Sequence, residues 1–281
     1  MYVYRCEDTL ESILTAIYRV YEEHRPKNEV LLALDGESRL FATQIYVEAD
    51  NVRSEKVART LCERFGREEY ERICLALTAP EPGKAQAVYR TIVHGLEGRG
   101  HIFENLGDAE VCKAFKLARS AERECCHLEG FLRFEELESG VLYAQVKPKN
   151  HLLSFLMAHF SDRFPEEDFL IHDVGRNLVG MHCKKAAWGR QEQRKESNLA
   201  DWAVARGPEE MLPRGLDAME ADGAERVRTG LKLSAEELRY RELFTQFCRT
   251  IGIRERENPE LQKNMLPLHF RKYMTEFREE A

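Results

Sequence analysis

At the centre of the chain one amphipathic helical stripe lies between two strand pairs, and this order limits the fold more than any other property of the sequence. Leu152, Phe155, Leu156, His159, Phe160 and Arg163 fall at offsets 0, 3, 4, 7, 8 and 11, the period of one helix face, so residues 150–163 read as a helix that must bury that face. Before it, Phe131–Leu137 and Val141–Lys147 are strand-like and joined through Ser139-Gly140. After it, Phe169–Asp173 and Leu178–Cys183 are joined near Gly175. Hairpin, helix, hairpin predicts a four-stranded antiparallel sheet with the helix packed on one face, inside a helix-rich α+β fold.

Around that centre the patterns are mostly helical. A strand at Tyr2–Tyr4 precedes a helix with capping-box spacing at Asp8 and Glu11, and a second strand-like run, Leu40–Val47, leads into helical patterns near 52–65 and 68–77. Pro80 and Pro82 then break the chain, and two further helices reach Leu128. Residues 207–231 carry Pro208, Pro213 and four glycines. The tail opens on a Ser234/Glu237 capping box and a helix with Tyr240, Leu243, Phe244, Phe247 and Ile251, and ends on a helix after Pro267. The expected organisation is an N-terminal α/β segment (1–80), a central α+β domain (81–206), a linker or insertion (207–231) and C-terminal helices packing on the central domain (232–281).

Several function classes lose support at once. No apolar run approaches the roughly 20 residues that cross a bilayer, and Met1–Asp8 has no apolar leader, so a cytoplasmic protein without a membrane partner is expected. The eight cysteines are scattered without CxxC spacing, which predicts reduced thiols and no zinc ribbon; no metal site is expected. A CxxxCxxC run is missing, so the chain holds no radical-SAM cluster of its own. P-loop, GxGxxG, HExxH and GxSxG signatures are also missing, and no cofactor is implied.

Three constellations carry chemistry. Glu124 and His127, with Glu122 nearby, sit three residues apart, which puts a carboxylate and an imidazole on one helix face; a capped helix end would use the same pair. His159 and Arg163 lie one turn apart on the central stripe, with Asp173 and Arg176 in the next hairpin. That set can bind phosphate or position a base, and equally can clamp helix to sheet. Arg163 and Asp173 are expected to form the ion pair. The third constellation is aromatic and basic: His182, Lys184, Lys185, Trp188, Arg190, Arg194, Lys195 and Trp202. Residues 176–206 hold seven basic and three acidic side chains, a local +4 in a chain of net −7. Cations for phosphates beside aromatic faces for stacking are what single-stranded or flipped bases require, although a solvated surface has the same composition.

The motifs Met1-Tyr2-Val3-Tyr4 with Asp8 and Leu10, Glu124-x-x-His127-x-x-Gly130-Phe131-Leu132-Arg133-Phe134, and Tyr143-Ala144 with Pro148 open a series that continues along the chain. It runs on through His159-Phe160-x-Asp162-Arg163-Phe164, Ile171-His172-Asp173-x-x-Arg176, and the tail from Met265-Leu266-Pro267 to Glu276-Phe277. In these residues the chain resembles an uncharacterised bacterial family described as DNA metabolism or DNA repair proteins. Its members are encoded beside a radical-SAM protein with a DNA-modification or repair role, and related domains occur fused to uracil-DNA glycosylases. The resemblance implies a partner of damaged or single-stranded DNA that serves a separate radical-SAM protein. No glycosylase motif is visible, and no catalytic role is carried over. Two other readings stand beside it: a nucleic-acid-directed enzyme using Glu124, His127, His159 and Asp173 as acid–base groups with Arg133, Arg163 and Arg176 binding, or a structural adaptor without catalysis.

Overall fold

In a computed structural model, residues 1–36, 42–98, 102–184, 202–206, 232–251 and 257–280 are described. The chain divides into two compact units, Met1–Glu124 with Lys149–His151, and Cys125–Pro148 with Leu152–Ala281.

The first unit is built on a parallel sheet of order β2-β1-β3, formed by β1 (Tyr2–Cys6), β2 (Val30–Leu34) and β3 (Thr43–Tyr46). Helix α1 (Leu10–Glu22) is the crossover between β1 and β2, as a parallel pair requires. The run Val30–Leu34 shows no alternation because four of its five side chains are buried, the pattern of a strand covered on both faces. Helices α2 (Asn51–Phe65), α3 (Arg67–Leu77), α4 (Lys84–Glu97) and the first turns of α5 (Ala109–Phe131) complete the unit. Leu61, Ile73, Val88, Tyr89, Ile92 and Ala114 share a core with Tyr4, Ile13, Leu14, Ile17 and Leu32, so this core extends past the Pro80/Pro82 break. The cap of α1 is Thr9, which accepts from Ser12 N at 3.2 Å, one residue beyond the expected Asp8. Asp8 instead pairs with the buried Lys84 ammonium at 2.6 Å.

The second unit carries a five-stranded mixed sheet of order β4-β5-β6-β7-β8: β4 (Glu135–Glu136), β5 (Leu142–Val146), β6 (Phe169–Asp173), β7 (Leu178–His182) and β8 (Trp202–Arg206). Both expected hairpins pair, β4 with β5 and β6 with β7, each antiparallel. The sheet is nevertheless not the expected four-stranded antiparallel one, because β5 and β6 run parallel and β8 adds a fifth strand. The reason lies in α6 (Leu153–Arg163), which returns the chain to the end of the sheet from which it left, so the next strand repeats the direction of the last. The first hairpin is also short, because α5 continues through Phe131.

Helix α6 packs on the sheet through Leu153, Leu156, Met157 and Phe160, all buried. A Cβ at Gly180 on β7 would stand 2.3 Å from Met157 Sδ, so this strand position accepts α6 without displacement only as glycine. Phe134 meets the rings of Phe160, Phe164 and Phe169 edge-on, with centroids 5.2–5.9 Å away. The C-terminal helices α7 (Ala235–Thr250), α8 (Pro259–Met265) and α9 (Leu268–Arg271) belong to this unit. Ser234 caps α7 as its spacing predicts, accepting from Glu237 N at 3.0 Å. The carboxylate of Glu237 does not close the box; it accepts from Glu136 N at 3.2 Å. Residues 207–231, read as a linker or insertion, lie outside the described residues.

Candidate functional site

The polar residues of the second unit concentrate at the ends of β5, β6 and β7. The parallel register sets Gln145 beside His172 and Val146 beside Asp173. Gln145 Nε2 donates to Tyr143 Oη at 3.1 Å, Tyr143 Oη lies 2.9 Å from His172 Nδ1, and His172 Nε2 lies 3.3 Å from Asn177 Oδ1. An amide oxygen only accepts, so Nε2 carries the proton and Nδ1 accepts from the tyrosine. Burial lowers the His172 pKa, opposed by the Asn177 hydrogen bond and the Asp173 charge, and holds the ring neutral. The result is a directional hydrogen-bond chain, buried from Gln145 to His172 and ending on the exposed Asn177. Sequence reasoning missed it, although Asn177 in left-handed backbone (φ 52°) just after Gly175 is a recognisable turn residue.

Asp173 is fully buried and accepts from Gly175 N at 3.0 Å, Arg176 N at 3.2 Å and the Arg176 guanidinium at 3.0 Å. The same guanidinium nitrogen donates to Pro148 O at 3.0 Å. The expected Arg163–Asp173 pair is therefore replaced by Arg176–Asp173. The stripe that α6 buries is phased on Leu153 rather than on Leu152, which turns Arg163 into solvent, where its guanidinium lies 5.7 Å from the Phe164 ring.

The other candidates each have their own contacts. Glu124 accepts from Lys149 N at 2.7 Å, from Asn150 N at 2.9 Å and from Asn150 Nδ2 at 2.6 Å, and so caps the segment 149–150. His127, one turn on, packs between the rings of Phe131 and Phe270, with centroids 5.7 and 5.8 Å away. His159 Nδ1 stands 3.8 Å from Glu129 Oε1, and Arg133 pairs with Glu276 at 3.0 Å. Glu135, buried on β4, pairs with Arg241 on α7; no local pattern signals a contact 106 residues apart.

In the aromatic-basic constellation, His182 is buried, stacked on Phe169 with centroids 4.8 Å apart, its Nδ1 2.8 Å from Glu167 O. It belongs to the core rather than to a binding face. Lys184 is exposed and Trp202 half-buried, at the ends of β7 and β8 that face each other in the register. Lys185, Trp188, Arg190, Arg194 and Lys195 lie outside the described residues.

Among the described residues no group of three His, Cys, Asp or Glu side chains is placed to hold a metal ion. No disulfide joins any of the eight cysteines. A recess beside Gln145, lined by Phe131, Lys147, His269, Phe270 and Tyr273, has a volume of about 10 Å³, room for about one water rather than a substrate. No helix among the described residues is long and apolar enough to cross a membrane.

Residues 82–276 match the model of a family described as a domain of unknown function, DUF4130. The chain belongs to the DUF4130 family. No curated protein matches it. A solved structure described as the DHH domain of a member of a family of ribosomal proteins is similar at 12% identity and a TM-score of 0.23 over 61% of this chain. The chain spans 54% of the length of that structure.

Proposed function

We infer that this DUF4130 protein acts in DNA metabolism or repair by binding single-stranded or distorted DNA through β7, β8 and the basic connection between them, and that it works with a separate radical-SAM protein. Charge placed on topology carries the reading. Residues 176–206 hold a net +4 in a chain of −7, and they run through two antiparallel neighbours at one end of the sheet order. Lys184 is exposed after β7, Trp202 half-buried where β8 begins, and Arg206 exposed where it ends. Cations that follow a backbone beside an aromatic face suit unstacked bases, whereas the acidic remainder of the chain disfavours nonspecific duplex binding. The radical-SAM partner rests on the family resemblance and on the missing cluster cysteines.

Fluorescence anisotropy with labelled single-stranded and duplex oligonucleotides at two salt concentrations tests the DNA reading. Single strands are expected to bind more tightly and to lose affinity steeply with salt. Replacing Lys184, Lys185, Arg190, Arg194 and Lys195 with Ala flattens that dependence, while Trp188→Ala costs about 1–3 kcal/mol and keeps the slope. If neither DNA binds at about 50 μM protein in low salt, direct DNA binding is abandoned for the adaptor reading. Co-expression and size-exclusion chromatography test the protein partner, and separate elution at micromolar concentration counts against a stable complex.

A further inference from the structure

Helix α7 presents its faces to the wrong environments for a helix that ends its contacts within one chain. Its half-buried side is polar: Ser234, Glu237, Arg241, Thr245 and Cys248. That side is anchored to β4 by the Arg241–Glu135 ion pair, by Glu136 N donating to Glu237 at 3.2 Å, and by Ser234 N donating to Glu136 O at 3.0 Å. Tyr240, Leu243, Phe244, Phe247 and Ile251 form an apolar stripe at helical spacing, and all are 40–64% exposed. A soluble helix normally turns such a stripe into a core. Here the polar anchors leave it pointing outwards.

We propose that this stripe is the contact of a two-fold dimer of the chain, with α7 packed antiparallel against α7 of a second copy. Three observations select a second copy as the occupant. Tyr240, Leu243, Phe244 and Phe247 are spaced symmetrically about the point between Leu243 and Phe244. An isologous antiparallel pair therefore sets Tyr240 against Phe247 and Leu243 against Phe244, apolar on apolar at the centre of the contact, with Ile251 against Glu236 at its rim. The antiparallel arrangement also opposes the two helix macrodipoles. Finally, at about 150–250 Å² for a whole large side chain and with about half of each exposed, the stripe offers on the order of 500 Å² per copy. Two stripes then bury about 1,000 Å², the area that a specific interface should clear. The inference is independent of DNA binding and differs from it in sign with salt: two copies of net charge −7 repel, so screening tightens the dimer.

Sedimentation velocity of the full chain from about 1 to about 100 μM, at low and high salt, reads the equilibrium directly. A monomer–dimer equilibrium favoured by salt is expected, and Phe247→Glu is expected to raise its dissociation constant on the order of a hundredfold. Leu243→Gln, a milder change at an exposed position, is expected to act in the same direction and covers the case in which circular dichroism shows the glutamate variant misfolded. Gln246→Glu, off the stripe, leaves the dimer intact. A wild-type chain that stays monomeric at the top concentration overturns the proposal, as does a dimer that survives both stripe substitutions.

Discussion

Arg176→Ala tests the assignment of the Asp173 partner more sharply than any other single change. Asp173 is fully buried, and of the groups that donate to it from the turn, only the guanidinium neutralises its charge. Removing it leaves a buried carboxylate held by two backbone N–H groups, and breaking a buried pair from one side costs about 3–5 kcal/mol. Arg176 is itself about a quarter exposed, 26% of its side chain, so water can partly replace it and a cost at or just below the lower end of that range, about 2–3 kcal/mol, is expected. Asp173→Asn keeps an acceptor for Gly175 N and Arg176 N and should cost less, about 1–2 kcal/mol. Arg163→Ala, at an exposed position, should stay within about 0.5 kcal/mol of wild type. Urea unfolding followed by tryptophan emission is the assay, because Trp202 lies in the same sheet and reports on this unit. In a double-mutant cycle, Asp173→Ala with Arg176→Ala should show a coupling of about 1–3 kcal/mol. Equal costs for Arg163→Ala and Arg176→Ala, or a coupling near zero, would refute the assignment.

Two other perturbations follow from packing and burial. Gly180→Ala must displace Met157, whose Sδ would lie 2.3 Å from the new Cβ, and is expected to cost about 1–3 kcal/mol; Met157→Ala in the same chain should recover part of that loss, and a neutral Gly180→Ala would show that α6 does not press on β7. His172 has a folded pKa below its ordinary 6.5, so the unfolded chain binds the extra proton first as pH falls. Its contribution to stability is present above pH 6.5 and is lost as pH drops from 6.5 through the lowered folded value, so His172→Gln should flatten the fall of the urea midpoint below pH 6.5. An unchanged acid slope would mean that the ring is not buried as a neutral group.

Part of the site was legible in the sequence because it is local. The turn Asp173–Arg176 closes within four residues, and the ends of β6 and β7 match the predicted strands to within one residue. The Ser234 cap was legible for the same reason. What failed depended on phase or on distance. A shift of one residue in the buried stripe of α6 separates Arg163 from Asp173, and periodicity does not resolve such a shift when Leu152 and Leu153 are both apolar and both buried. The Tyr143–His172–Asn177 chain requires β5 and β6 to lie side by side in parallel register, and the Glu135–Arg241 pair joins residues more than a hundred positions apart.

By itself the sequence determined most of the helices, the central strands β5, β6 and β7, where turns fall and where charge collects, because these follow from a side-chain period repeated over a few residues, whereas β2, β8 and the end of α5 at Phe131 were not legible in it. Only the tertiary structure decided that β5 and β6 run parallel, since the return path of α6 sets strand direction and no residue within either strand records it. It also decided which side of α7 meets the protein. The helix has an apolar stripe that would ordinarily be counted as core, but Arg241 finds the buried Glu135 and Glu237 finds Glu136 N. A buried carboxylate left unpaired costs more than an apolar side chain left in water, so the polar anchors set the orientation and the stripe stays outside.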